Sequence, residues 1–277
     1  MPSKTSSRYI SLLKRSLTDY HNVGTSELHP LSTVEPNWKT ALLHSLDQLL
    51  RMRNFTICKM EPVTAEGRTG GSDWPANALT MVGMERLDHL EECITKIAEQ
   101  NIPGDLIETG VWRGGAAIFM RAMLNELALE DRNVWLADSF EGIPVPDPDA
   151  WPADKGNALH KVRMLSVPLS VVQGNFARFD LLDDRVKFLK GWFKDTLPIA
   201  PIQELALLRL DGDLYGSTMV ALECLYPKVS IGGFVIVDDY HSIPACRKGV
   251  EDYRAANGIP DRVRAIDREA VYWRKSR

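Results

Sequence analysis

Cysteine is scarce in this chain. There are four in 277 residues, and Cys58, Cys93, Cys224 and Cys246 form no Cys-x-x-Cys pair. That spacing excludes a zinc ribbon or a dithiol redox centre, and scattered thiols suit a reducing, cytoplasmic setting. Positive charge is not in excess: 33 Lys and Arg stand against 37 Asp and Glu, a formal net charge of −4. Without a basic surplus nothing supports a nucleic-acid partner or a polybasic membrane contact. No apolar run is long enough to cross a bilayer. The stretch MPSKTSSRYISLLKRSL lacks the continuous apolar core of a signal peptide. The six histidines show no metal-ligand spacing. What remains, 44% hydrophobic and 25% charged residues, is the composition of a globular protein.

The stretch that organises the rest is Gly104 to Gly115, GDLIETGVWRGG. Leu106 and Ile107 begin a short strand, and Gly110, Gly114 and Gly115 follow. Ala116, Met120, Met123 and Leu127 then recur at helical spacing. Strand, glycine turn and helix open a nucleotide-binding α/β unit, where glycine lets the backbone approach a ligand. A glycine turn between any strand and any helix reads the same way, so the turn alone names no ligand. One βαβ unit on, Val134 to Ala137 ends in Asp138 and Ser139. A carboxylate there either accepts hydrogen bonds from both ribose hydroxyls or caps a loop.

Further strands are expected at Val186–Leu189, Leu205–Leu210 and Phe234–Val237. Two short ones, near Val263–Ile266 and Val271–Trp273, are close enough to pair as an antiparallel hairpin at the sheet edge. Strands alternating with helices make residues 81–277 an α/β, doubly wound, Rossmann-like domain. Residues 1–80 read as an N-terminal helical arm. Its stripes are Ile10, Leu13 and Leu17, then Leu42, Leu46, Leu49 and Leu50, which pack on the main domain or on a partner subunit. A glycine-rich mobile loop is expected over residues 65–75, and Leu79, Thr80 and Met81 would edge the site. Residues 141–157 hold four prolines, too many for a helix or strand interior, so a lid is expected at about 141–170. Trp192, just past the third strand, either stacks on a planar base or is half-buried core.

Four acids close two strands: Asp211 and Asp213 after LALLRL, Asp238 and Asp239 after FVIV. Consecutive strands with a helical crossover are usually neighbours, and ligands of doubly wound sheets bind at the carboxyl edge. Clustered carboxylates repel and raise one another's pKa, and a divalent cation relieves that. An all-oxygen set suits Mg²⁺, Ca²⁺ or Mn²⁺ rather than zinc. Solvated loop acids are the plainer alternative. His160, just after the proline-rich loop, either reaches the cleft from the lid or is a solvated surface histidine.

These segments, LIETGVWRGGA, VWLADSFEGIP, FLKGWFKDTLP, LRLDGDLYGST and VIVDDYH, together resemble the TylF-like macrocin O-methyltransferases. The resemblance covers about residues 70 to 275 and implies a seven-stranded methyltransferase sheet with a small N-terminal arm and a lid. It also implies S-adenosylmethionine and Mg²⁺ as cofactors, and methylation of a sugar hydroxyl on an antibiotic-type natural product. On this resemblance Asp211, Asp238 and Asp239 match the metal ligands. Asp213 matches the proposed general base, with His160 the second choice. The turn Glu108–Gly115, including Thr109, Gly110 and Gly114, and the pair Asp138–Ser139 match cofactor-binding segments. Met81, Trp192 and Asp211 are added to that set. A homodimer is expected, since such enzymes are often dimers. The chain departs from the family at Gly216, usually acidic, at Leu79, usually His, and in residues 164–172, which include Pro168. Two rivals fit less of the chain. A short-chain dehydrogenase would need a Tyr-x-x-x-Lys pair, and Tyr272 and Lys275 are one residue too close. A catalytically dead binding module would have no use for the acids. A catechol-type phenol is the alternative acceptor.

Overall fold

A computed structural model describes residues 8–33, 38 and 40–277. Part of the stretch read for a targeting signal, residues 1–7, lies outside them. The chain begins with α1 (Arg8–Leu17), β1 (Ser26–Pro30), α2 (Ala41–Arg51), β2 (Cys58–Pro62), α3 (Ala65–Gly70) and α4 (Met84–Glu99). Next come β3 (Asp105–Thr109), α5 (Gly115–Glu126), β4 (Val134–Asp138), α6 (Leu169–Arg178), β5 (Val186–Lys190) and α7 (Phe193–Thr196). The chain finishes with β6 (Leu205–Leu210), α8 (Tyr215–Leu225), β7 (Val229–Val237), α9 (Pro244–Ala256), β8 (Arg264–Ala265) and β9 (Val271–Arg274).

Seven strands form one sheet in the order β5-β4-β3-β6-β7-β9-β8. The first five are parallel, and β9 and β8 add an antiparallel edge, as the closing hairpin pattern requires. Winding reverses between β3 and β6, which creates the crevice where such sheets hold ligands. Residue parity explains the two cores. Leu106, Leu136, Phe234 and Ile236 face α4 and α5, while Ile107, Leu208, Val235 and Val237 face α8 and α9. β7 starts at Val229, five residues before the expected Phe234. A register shift between Leu205 and Leu207 lets β7 rejoin β6, with Gly232 at φ +84 in the irregular stretch.

The first arm stripe is core: Ile10, Leu13 and Leu17 are buried with Leu87 and Phe119. The second is not: Leu42, Leu46 and Leu49 on α2 are 81%, 47% and 65% exposed. The stretch expected to be a mobile loop instead contains α3. Thr64 Oγ1 caps it by accepting from Gly67 N at 3.1 Å, and buried Arg68 pairs with Glu27 at 2.6 Å and with Asp73. The glycines in AEGRTG hid a helix that capping and ion pairs hold. Among the described residues no helix is long and apolar enough to cross a membrane.

Candidate active site

At the carboxyl edge of the sheet a cleft of about 790 Å³ opens over the switch point. Backbone bonds bring the strand ends into line. Asp211 N donates to Thr109 O and Asp238 N to Leu210 O, each at 2.9 Å, and Gly110 N donates to Ala137 O at 2.9 Å. Gly110 is essential to this approach. Its φ is +89, and a Cβ there would stand 1.9 Å from the Asp211 carbonyl oxygen.

Of the residues expected at the site, Met81, Glu108, Gly110, Asp138, Ser139, Trp192, Asp211, Asp213, Asp238 and Asp239 line the cleft. Thr109, Gly114 and His160 are not on its wall. Thr109 is buried behind it, with its hydroxyl turned to Arg209 O at 3.4 Å. Gly114, at φ +86, gives α5 room against Val172 and Phe176 of α6. His160 sits half-buried in a short 3-10 turn, and its Nδ1 has no hydrogen-bond partner. Arg113 Nη1 donates to Ala76 O at 2.9 Å and Ala78 O at 2.7 Å, which ties down the segment that leads to Met81. Asp138 accepts from Val111 N at 2.8 Å and from Phe140 N at 2.7 Å. It thus braces the glycine turn, and Trp112 N and the Ser139 hydroxyl donate to the same carboxylate. Trp192 is half-buried on the cleft wall and opens α7.

The carboxylates meet as the strand order requires. Asp211, Asp238 and Asp239 each offer an oxygen, all within 4.8 Å of one another. Asp213 follows in the tight turn into α8, at φ 59, a left-handed conformation that Asp tolerates better than most residues. Two arginines that the sequence reading passed over hold the group. Arg209, the one charge on buried β6, donates to Glu108, to Asp238 and, at 2.7 Å, to Asp211. Arg86 of α4 donates to Asp238 and Asp267, each at 2.6 Å, and to Glu269 at 2.8 Å.

Charge still does not balance. Burial, then Asp238, raises the Asp211 pKa against the pull of Arg209. Burial and the surrounding carboxylates push Asp213 and Asp239 well above the usual carboxylate range. Burial takes Glu108 up to about 8 against the pull of Arg209. Only Asp238 falls below its ordinary value: although burial opposes it, Arg209 and Arg86 flank its carboxyl. Asp239 Oδ2 is buried with no hydrogen-bond partner. The arrangement therefore has hard oxygen donors, surplus proton affinity and an unsatisfied oxygen in one cleft.

Known proteins resemble the chain over most of its length. The macrocin-O-methyltransferase (TylF) family matches residues 6–275. Demethyldecarbamoylnovobiocin O-methyltransferase from Streptomyces niveus is 53% identical over 213 residues, 76% of this chain and 81% of that protein. Mycinamicin III 3''-O-methyltransferase from Micromonospora griseorubida is 51% identical over 214 residues, 76% of this chain and 84% of that protein. The solved structure of the O-methyltransferase NovP superposes with a TM-score of 0.84 at 43% identity, covering 99% of this chain and 100% of NovP. The dehydrogenase and binding-module readings fall away. The chain belongs to the TylF macrocin-O-methyltransferase family, and its seven-stranded Rossmann-like sheet is that of an S-adenosylmethionine-dependent O-methyltransferase.

Proposed function

We propose that the chain methylates a sugar hydroxyl of an antibiotic-type natural product and that the reaction depends on Mg²⁺ held by Asp211, Asp238 and Asp239. The observation that carries the metal reading is the convergence of those three carboxylates within 4.8 Å. Oxygen donors suit Mg²⁺, and the buried, unpartnered Asp239 Oδ2 supplies an open ligand position. Asp238 accepts from two guanidiniums, yet each carboxylate oxygen keeps a second lone pair. Bound there, the cation would supply Lewis acidity to the acceptor hydroxyl and offset the carboxylate charge.

The chain's own residues supply the remaining chemistry. Asp213 takes the hydroxyl proton as the methyl group leaves sulfur: the C–S bond breaks, the new C–O bond forms, and the proton ends on the carboxylate. Asp213 lines the cleft two residues beyond Asp211, which supports it as the group that meets an acceptor hydroxyl held beside the ligand carboxylates. Glu108, Gly110, Asp138, Ser139, Met81 and Trp192 form the donor side of the cleft. Lid residues Gly142–Asp147 and Trp151 form another wall, so acceptor and donor meet away from bulk water. We also infer a homodimer, in which a second copy covers Leu42, Leu46 and Leu49 of α2; light scattering showing a monomer at full activity would remove it.

The acceptor names of the relatives define the experiment. Demethyldecarbamoylnovobiocin, mycinamicin III and catechol are incubated with labelled S-adenosylmethionine, with Mg²⁺ and with excess chelator. Label should enter a sugar-bearing acceptor and be lost with chelator. Label entering catechol alone would replace the sugar reading with the phenol one.

A further inference from the structure

One turn of the lid is tied to the helix that follows Asp213. α8 begins two residues after Asp213, and Leu214 at its N-cap position supplies no side-chain cap. The first amides of a helix have no partner within it. Here two of them are satisfied from 61 and 62 residues away. Tyr215 N donates to Asp154 Oδ1 at 2.7 Å, and Gly216 N donates to Asp154 Oδ2 at 3.0 Å. Asp154 is 2% exposed, and an anion at a helix N-terminus is also favoured by the helix dipole.

The same turn carries Trp151. Asp154 N donates to Trp151 O at 3.0 Å, so the two residues belong to one hydrogen-bonded turn. The Trp151 ring lies over Gly216, where a Cβ would meet its Cδ1 at 2.6 Å, and its centroid is 5.5 Å from that of Tyr215. Both Trp151 and Asp154 line the cleft. The donor segments sit at the ends of β3, β4 and β5, whereas Trp151 sits at α8, on the side of the carboxylates. An indole face there suits the apolar face of an acceptor ring.

We propose that Asp154 is a positioning residue: it locks the lid turn 151–154 onto the first turn of α8 and thereby holds Trp151 as the acceptor-side wall beside Asp213. The proposal rests on the methyltransferase reading only for what occupies that side of the cleft. Glycine at 216 has the same cause, because any side chain there would displace the indole.

The test is hydrogen exchange read by mass spectrometry on the full chain saturated with S-adenosylhomocysteine. In Asp154→Ala, peptides covering residues 147–165 and 214–218 should exchange about tenfold faster or more, while β3 and β6 stay protected. S-adenosylhomocysteine affinity should stay within about twofold. Asp154→Asn keeps one carbonyl acceptor for the two amides and should restore part of the protection. Gly216→Ala should strengthen α8 by helix propensity, yet it should free the lid as Asp154→Ala does. Unchanged lid exchange in Asp154→Ala or Gly216→Ala overturns the proposal. So does exchange that rises equally in β3 and β6, or an Asn variant no better than Ala. No acceptor is needed, so this result and that of the acceptor panel stand or fall separately.

Discussion

Replacing Arg209 by methionine removes a cation from between three carboxylates. Arg209 is 3% exposed and donates to Glu108, Asp211 and Asp238. Methionine fills similar space without charge. Leaving buried charges without their partner costs about 3–5 kcal/mol. A second route gives a similar figure. The folded variant can relieve itself by protonating one carboxyl, and at pH 7 a group of ordinary pKa near ~4 resists this by about 4 kcal/mol. That route fixes the pH dependence. The folded variant then holds one proton that its unfolded chain lacks, so its deficit shrinks as the pH falls. Between pH ~7 and ~5.5 the gain relative to the parent protein should be about 2 kcal/mol. Urea denaturation in chelator at both pH values measures this directly. A variant as stable as the parent, or one whose deficit grows on acidification, refutes the reasoning.

Two further outcomes are expected. Asp138→Ala should weaken S-adenosylhomocysteine binding by about 1.5–3 kcal/mol, the value of hydrogen bonds to a charged group; calorimetry showing unchanged affinity would end its donor role. Burial drives the His89 pKa from 6.5 to about 4. The folded chain therefore keeps this imidazole neutral where the unfolded chain protonates it, and up to ~3 kcal/mol of stability should be lost as the pH falls from ~6.5 to ~4. His89→Phe, which preserves the ring against Tyr272 at 4.2 Å between centroids, should flatten that loss in denaturation midpoints.

The pairing of the two acid-bearing strands and the meeting of their acids were legible because they follow from rules that span the whole sheet. Short apolar runs pointed to β3, β4, β5, β6 and β7, and the helical crossover made β6 and β7 neighbours. Asp138 and Asp213 were placed by position after a strand, which local sequence records. Arg209 was missed although its signal was present: one charge inside LALLRL, a strand buried along its length. A charge cannot be buried there without partners. Arg86 offered less, since the first turn of an amphipathic helix tolerates charge. Asp154 offered nothing, because its partners are amides of a helix distant in sequence. α3 was hidden by its own glycines, since the Arg68–Glu27 ion pair that helps to stabilise it is tertiary. His160 was read from proximity to the lid alone, and a loop's path is not written in its composition.

The central claim is that Asp211, Asp238 and Asp239 hold a divalent cation while Asp213 serves as base. Calorimetric titration of Mg²⁺ into chelator-stripped protein loaded with S-adenosylhomocysteine tests it most directly. One ion should bind the parent protein and Asp213→Asn with affinities within about tenfold, and Asp239→Asn should lose more than about 2 kcal/mol of binding. No binding to the parent protein, or undiminished binding to Asp239→Asn, would contradict it.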